Sequence, residues 1–148
     1  MGLVKTLLPC CTGIMLCMGV AVAEHQAVLV TSSTSPIQDI DSLELRKLFL
    51  GFNVTRNGKF VKGLRNTEDD DLNSIFLQSV VAMSEKSYER RQTSLTLRKG
   101  IPRPLEYDKS EALLIALSKN PYSVSYMWKE SAENNPDLKI LRVLWEQN

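Results

Sequence analysis

The sequence predicts an α/β fold in which a sheet is covered by helices. Two observations carry this: short β-branched apolar runs alternate with segments whose apolar residues recur at helical spacing, and nearly every segment is bounded by recognisable capping or turn residues. At 148 residues the chain has the length of one ordinary domain, with enough apolar residues for a single core. No internal repeat or low-complexity tract interrupts it.

The first residues stand apart from that core. Met1 to Lys5 is short and basic, Leu7, Leu8 and residues 13–18 are apolar, and the run closes on Ala21-Val22-Ala23. This is the pattern of a secretory signal peptide, and the small side chains at Ala21 and Ala23 place the cut after Ala23. An uncleaved membrane anchor is the alternative, but Pro9 and Gly13 interrupt a run already short for a span. The expected organisation is a signal peptide over 1–23 and one domain over 24–148, with the membrane involved only through the cleaved leader. Cys10, Cys11 and Cys17 all lie in the leader, so the mature domain is expected to hold no disulfide and no cysteine ligand. Neither Pro9 nor Leu16 is the small residue that precedes a lipidated cysteine, so no lipid anchor is expected. Lys5 is the leader's only charge, and its removal leaves equal numbers of basic and acidic residues, with no basic footprint for nucleic acid.

The domain opens on Ala27-Val28-Leu29-Val30-Thr31-Ser32, a buried strand that ends in the loop Ser33 to Pro36. Asp41 and Glu44 form a capping box ahead of Leu45, Leu48 and Phe49, a short amphipathic helix that stops at Gly51. Asn57-Gly58 suits the positive φ of a tight turn and leads into Phe60 to Leu64 as a strand. Thr67 and Asp70 form a second capping-box pattern. It places Asp69 to Asp71 in a first turn and gives the next helix a buried face of Leu72, Ile75, Phe76, Val80 and Met83. Ser87 to Lys99 is helix-compatible and ends at Gly100, and Ile101-Pro102-Arg103-Pro104 forces an extended connection. Asp108 to Glu111 caps a helix through Ala112, Leu113, Ile115, Ala116 and Leu117, closed by Asn120-Pro121. Val124 to Trp128 reads as a strand. Lys139 to Trp145, after the turn at Asn134-Asn135-Pro136, reads as another.

Little in this chain resembles catalytic machinery. His25 is the single histidine and lies second in the expected mature chain, where ends fray, so neither a Ser/His/Asp triad nor a metal cluster can be built on it. Glu68 to Asp71 are dense carboxylates, but they lack the alternating positions and glycine turn of a calcium loop; acids stabilised by a helix N-terminus are the simpler reading. Arg90-Arg91 with Arg98-Lys99 fits a solvated helix face. Asn53-Val54-Thr55 matches a glycosylation sequon too short to carry weight, and neither a phosphate-cradling glycine loop nor a dinucleotide fingerprint occurs. No enzyme, cofactor or metal is therefore expected.

The order of segments carries a resemblance. Leu43 to Gly51, Asn57-Gly58, Val61-Lys62-Gly63-Leu64-Arg65, the Phe76 helix and Val124-Ser125-Tyr126 together resemble the phosphate-binding subunit of bacterial phosphate uptake transporters. In that family a Phe-x-Gly helix end, an Asn-Gly or Asp-Gly turn, an arginine-ended strand and an Ile-Gly-Tyr strand recur in this order. The resemblance runs from about Ala27 to Val143 and implies a single three-layer lobe of a type II periplasmic binding protein, a mixed sheet flanked by helices, in the periplasm. Family members use two lobes, and this chain matches one. The family arginine matched by Arg65 is followed by Ser-Gly-Thr at a helix N-terminus, whose hydroxyls and N–H groups hold phosphate. Here Asp69-Asp70-Asp71 stand in that region, and the family's tryptophan before its Gly-x-x-x-Pro connection is also missing. Carboxylates at the positive end of a helix disfavour a second anion, and Arg65 is expected to pair with one of them.

The resemblance implies a binding protein for a small polar or anionic solute, with Arg65, Asn66 and Thr67 as contacts and phosphate capture impaired. The rival expectation, from a different class, is an envelope accessory protein that binds a transporter, porin or sensor through the half-lobe surface, or associates with a second copy of itself.

Overall fold

The computed structural model describes residues 25–148; the expected signal peptide over 1–23, with its three cysteines, lies outside the described residues. Strand β1 (Gln26–Ser32) is buried along its whole length, as its β-branched run requires. It runs antiparallel to β6 (Ser123–Trp128) on one side and to β7 (Leu138–Glu146) on the other. β4 (Lys62–Asn66) lies parallel to β6 and to the three-residue β5 (Leu105–Tyr107). The result is a five-stranded mixed sheet in the order β5-β4-β6-β1-β7.

The strand expected over Phe60 to Leu64 divides in two. β2 (Thr55–Arg56) and β3 (Lys59–Phe60) form a separate hairpin, turned by Asn57 and Gly58 at φ 51° and 74°. The Val61 N–H donates to Val54 O (2.8 Å), whereas the Lys62 N–H donates to Tyr122 O (2.8 Å). The chain thus changes partner between those residues, leaving the hairpin for the main sheet, and β4 then continues through Arg65 and Asn66.

The pleat sorts the core into two halves. Ala27, Leu29, Val124 and Tyr126 face α1 (Ser42–Phe49), α2 (Asp70–Phe76) and α3 (Glu85–Lys99). Val28, Val30, Leu64 and Met127 face α4 (Ser110–Lys119) and α5 (Lys129–Glu133). Helices on both faces make three layers. In the first half Phe76 stacks on Tyr126 (3.6 Å, 5°) and meets Phe49 edge-on (4.6 Å). Such pairs each add about 0.5–1.5 kcal/mol to the burial of their area.

The helix ends show where sequence reading holds and where it shifts. α1 has the expected capping box: Glu44 N–H donates to Asp41 Oδ1 (2.8 Å) and Glu44 reaches back to the Asp41 N–H. At its end Gly51 takes φ 95°, and a Cβ there would run into the Pro102 carbonyl. α2 is capped by Asp69 rather than Thr67, because Asp69 Oδ1 accepts from Leu72 N–H (2.9 Å) while the Thr67 hydroxyl donates to Tyr107 O. Beyond Phe76 the helix widens into a π-helical turn over Leu77–Val81 that ends at Ala82, φ 60°. The wider turn buries Leu77 and Val81 and leaves Val80 and Met83 half-buried, so the expected face is corrected after its first turn. α3 begins two residues before Ser87 and is capped by Ser84; Tyr88, Gln92 and Leu95 form its buried stripe, and Arg90, Arg91, Arg98 and Lys99 lie on its solvated side. α4 is led by Lys109 in extended geometry with no side-chain cap, in place of the expected Asp108, and the Ser110 hydroxyl donates to Glu68.

Candidate functional site

A crevice of about 640 Å³ opens at the carboxyl ends of β4 and β6, where α2, α4 and α5 begin. This end of the parallel strands is where open α/β sheets present ligand sites. Leu113, Leu114 and Met127 give it an apolar floor, and Trp128, the last residue of β6, forms a wall. Asn66, the last residue of β4, lines it beside Glu68, Asp69, Asp70 and Asp71. Helix starts supply partial positive charge, and here the chain's own carboxylates occupy that end.

Asp69 is the most tightly held of the acids. Its Oδ1 caps α2 and its Oδ2 accepts from the Trp128 indole N–H (2.9 Å). The indole bond, followed by the Leu72 N–H and partly opposed by burial, holds its carboxyl below the usual aspartate range. Glu68 accepts from the Ser110 hydroxyl and ties the α4 start to the rim. His25 stacks on the Trp128 ring (3.8 Å, 27°) and its carbonyl accepts from Gln147 N–H (3.0 Å). The frayed position expected for His25 is thus an anchored one, because the indole gives its ring a partner.

The three contacts expected from the sequence do not meet at one point. Asn66 reaches the crevice, with its Nδ2 donating to Tyr126 O (3.0 Å) and its Oδ1 accepting from Glu68 N–H (3.3 Å). Thr67 closes the strand end, and both its N–H and its hydroxyl donate to Tyr107 O (2.9 and 3.3 Å). Arg65 points to the opposite face, where its side chain is 2% exposed. Its guanidinium pairs with Glu106, lies 3.7 Å from Glu89, donates to Asn73 Oδ1 (2.9 Å) and sits over the Tyr88 ring at 4.5 Å. The expected pairing of Arg65 with Asp69, Asp70 or Asp71 is therefore corrected: its carboxylates come from β5 and α3.

The Arg65 cluster is a buried network that leaves Arg65 Nε and Gln92 Oε1 without a hydrogen-bond partner among the described residues. Asn73 Oδ1 also accepts from Tyr126 OH (3.0 Å), Tyr88 OH donates to Phe49 O (2.6 Å), and Glu89 accepts from Arg103 (2.6 Å). Burial pushes Tyr126 up to about 12 and Tyr88 higher still, so both remain neutral donors. Burial also opposes the Arg65 charge, but the surrounding oxygens outweigh it and the guanidinium stays protonated. Sequence reading missed Glu89, Asn73 and Glu106. Glu106 becomes visible only once β4 and β5 are paired in register, Arg65 opposite Glu106. Trp128 could have been flagged as a large aromatic at the end of a strand. Among the described residues no group of three His, Cys, Asp or Glu side chains is placed to hold a metal ion, and no helix is long and apolar enough to cross a membrane.

The mixed sheet with helices on both faces is that of a single lobe of a periplasmic binding protein. Particular solved structures share it. One is PstS from Borrelia burgdorferi (TM-score 0.56, 14% identity, 80% of this chain and 47% of that one). Another is a putative phosphate ABC transporter substrate-binding protein with bound phosphate from Clostridium perfringens (TM-score 0.56, 11% identity, 80% and 45%). A third is an ABC-type phosphate transport receptor from Vibrio cholerae (TM-score 0.50, 12% identity, 80% and 46%). The chain spans about half the length of these structures. At such identities the likeness is one of fold. No protein-family model and no curated protein matches the sequence.

Proposed function

We propose that this chain is a non-catalytic, periplasmic solute-binding lobe that recognises a small polar solute in the crevice at the carboxyl ends of β4 and β6. The observation that carries this reading is the crevice itself, about 640 Å³ with an apolar floor and a polar rim, a combination suited to small-molecule recognition. Its position at the strand ends of a binding-protein lobe supports the same reading. Of the residues singled out by sequence, Asn66 is the direct contact. Thr67 fixes the mouth through Tyr107, and Arg65 acts from behind by holding Asn73 and β5 in place.

The chain's own charge selects against phosphate. Like charges at about 4 Å repel by on the order of 1 to 4 kcal/mol between bulk water and a moderately wet site. Each unneutralised carboxylate among Glu68, Asp70 and Asp71 therefore costs phosphate about fivefold in affinity or more. Calorimetric titration of the mature chain with inorganic phosphate is expected to show no tight, stoichiometric binding; a saturating one-to-one isotherm at micromolar phosphate overturns the reading. A thermal-shift screen of polar metabolites is the positive test, since a true ligand raises the melting temperature by mass action. The second reading, a lobe completed by an envelope partner, is favoured by the crevice being open on the side away from its floor.

A further inference from the structure

The amino-terminal end of the parallel strands, away from the crevice, carries apolar surface that this chain leaves uncovered. Phe60 on the hairpin, Leu105 on β5 and Ile115 on α4 are 62%, 58% and 54% exposed. Two grooves of about 420 and 410 Å³ adjoin there and share Lys62, Leu64 and Leu105 in their walls. Their rim is basic. Lys62 borders both grooves, Lys119 borders one, and Lys59 sits next to Phe60 over the Tyr122 ring (5.2 Å); Arg103, also on the rim, is held by Glu89. The opposite end of the molecule presents exposed Glu68, Asp70 and Asp71 around the apolar floor of the crevice. Its lysines, Lys109 and Lys129, are outnumbered there by Asp108, Glu111, Glu130 and Glu133.

We propose that the lysine-rimmed apolar groove is a docking surface for the acidic crevice end of a second copy of this chain, in a head-to-tail contact. The argument is charge complementarity, with exposed apolar surface on the groove side at Phe60, Leu105 and Ile115. Two grooves meeting face to face would set Lys62 and Lys119 against their own copies, and two crevice ends would oppose carboxylates, so neither symmetric arrangement is favoured. Opposite ends brought together pair the groove's lysines, around Phe60 and Leu105, with the carboxylates of Glu68, Asp70 and Asp71 at the crevice rim. The expected mature chain has no net charge to resist association. The contact uses different surfaces on the two copies, so it extends beyond a pair unless a partner caps it. It does not require the proposed solute, which would occupy the same crevice end and compete with the second copy, and a failure to find that solute leaves the docking proposal standing.

The test is sedimentation velocity of the mature chain over a range of concentrations, at low salt and at about 0.5 M salt, where surface charges are screened. Two variants separate the ends: Lys62→Glu with Lys119→Glu, and Asp70→Lys with Asp71→Lys, all at exposed positions so that circular dichroism should show each folded. The expected result is a mass that rises with concentration at low salt and falls to the monomer at high salt. Each variant alone should associate at least about tenfold less tightly, and an equimolar mixture of the two should associate again. A wild-type chain that stays monomeric at low salt overturns the proposal and leaves the groove to a different protein. Association that both variants retain alone overturns it as well, because the contact would then lie elsewhere.

Discussion

Arg65 shows how a single residue can leave the role its position suggests. It lies one residue before Asn66 at the end of β4, and the strand's alternation sends the two side chains to opposite faces, one into an ion network and one to the crevice. Its carboxylate partners are about half exposed while it is buried, so the cation bears most of the desolvation and its loss leaves two glutamates that water can still solvate. The larger cost of losing it comes from Asn73 and the space over Tyr88. Arg65→Ala is therefore expected to destabilise the fold by about 2–5 kcal/mol through the cavity over Tyr88 and the lost Asn73 partner, and Arg65→Lys to recover little of that, since an ammonium cannot span Glu106 and Asn73 at once. Urea denaturation measures both. Asp69 makes a pH-dependent prediction. Its carboxyl is held below its ordinary value of 3.8, so its stabilising contribution is present above that pH and drains away as pH falls through the lower folded-state value. Asp69→Ala should cost about 1–2 kcal/mol at neutral pH through the lost cap and indole bond. The stability difference between variant and wild type should shrink as pH falls below the ordinary aspartate value and through the lowered folded-state one.

At the scale of elements, the informative departure is α2. A uniform helical period puts Val80 and Met83 on the inside; the π-helical turn over Leu77–Val81 rotates the chain so that Leu77 and Val81 take those places. Leu77→Ala is expected to cost about 2–5 kcal/mol, as for a fully buried leucine, and Met83→Ala distinctly less. Equal costs at the two positions would favour an unbroken α-helix. The sheet edges are handled differently from one another. β7 carries two register shifts against β1, which disrupt its outer edge as a template for further pairing, whereas β5 is only three residues long and follows Pro102 and Pro104. Neither device covers the side chains of Phe60, Leu105 and Ile115, which is why the docking surface lies on that side.

For the molecule as a whole, charge is the property that matters most: an acidic crevice end, a basic groove end, and a single lobe in this chain where the solved structures of the same fold are about twice as long. If repulsion is what excludes phosphate, Asp70→Ser with Asp71→Thr should raise phosphate affinity by about tenfold or more, read by calorimetry; unchanged affinity would mean that geometry rather than charge excludes it. Most of the fold was legible in the sequence, because strand runs, capping residues and the Asn57-Gly58 turn are local signals between residues near in the chain. By itself the sequence determined the alternation of strands and helices, the Asp41 cap, the buried β1 and the acids at the α2 start. Only the tertiary structure decided that Glu106, forty-one residues away, takes Arg65, that Trp128 holds Asp69 and His25, and that the helix after Phe76 widens. Those outcomes depend on which strands become neighbours and in what register, and pairing across long separations leaves no periodic trace in the chain.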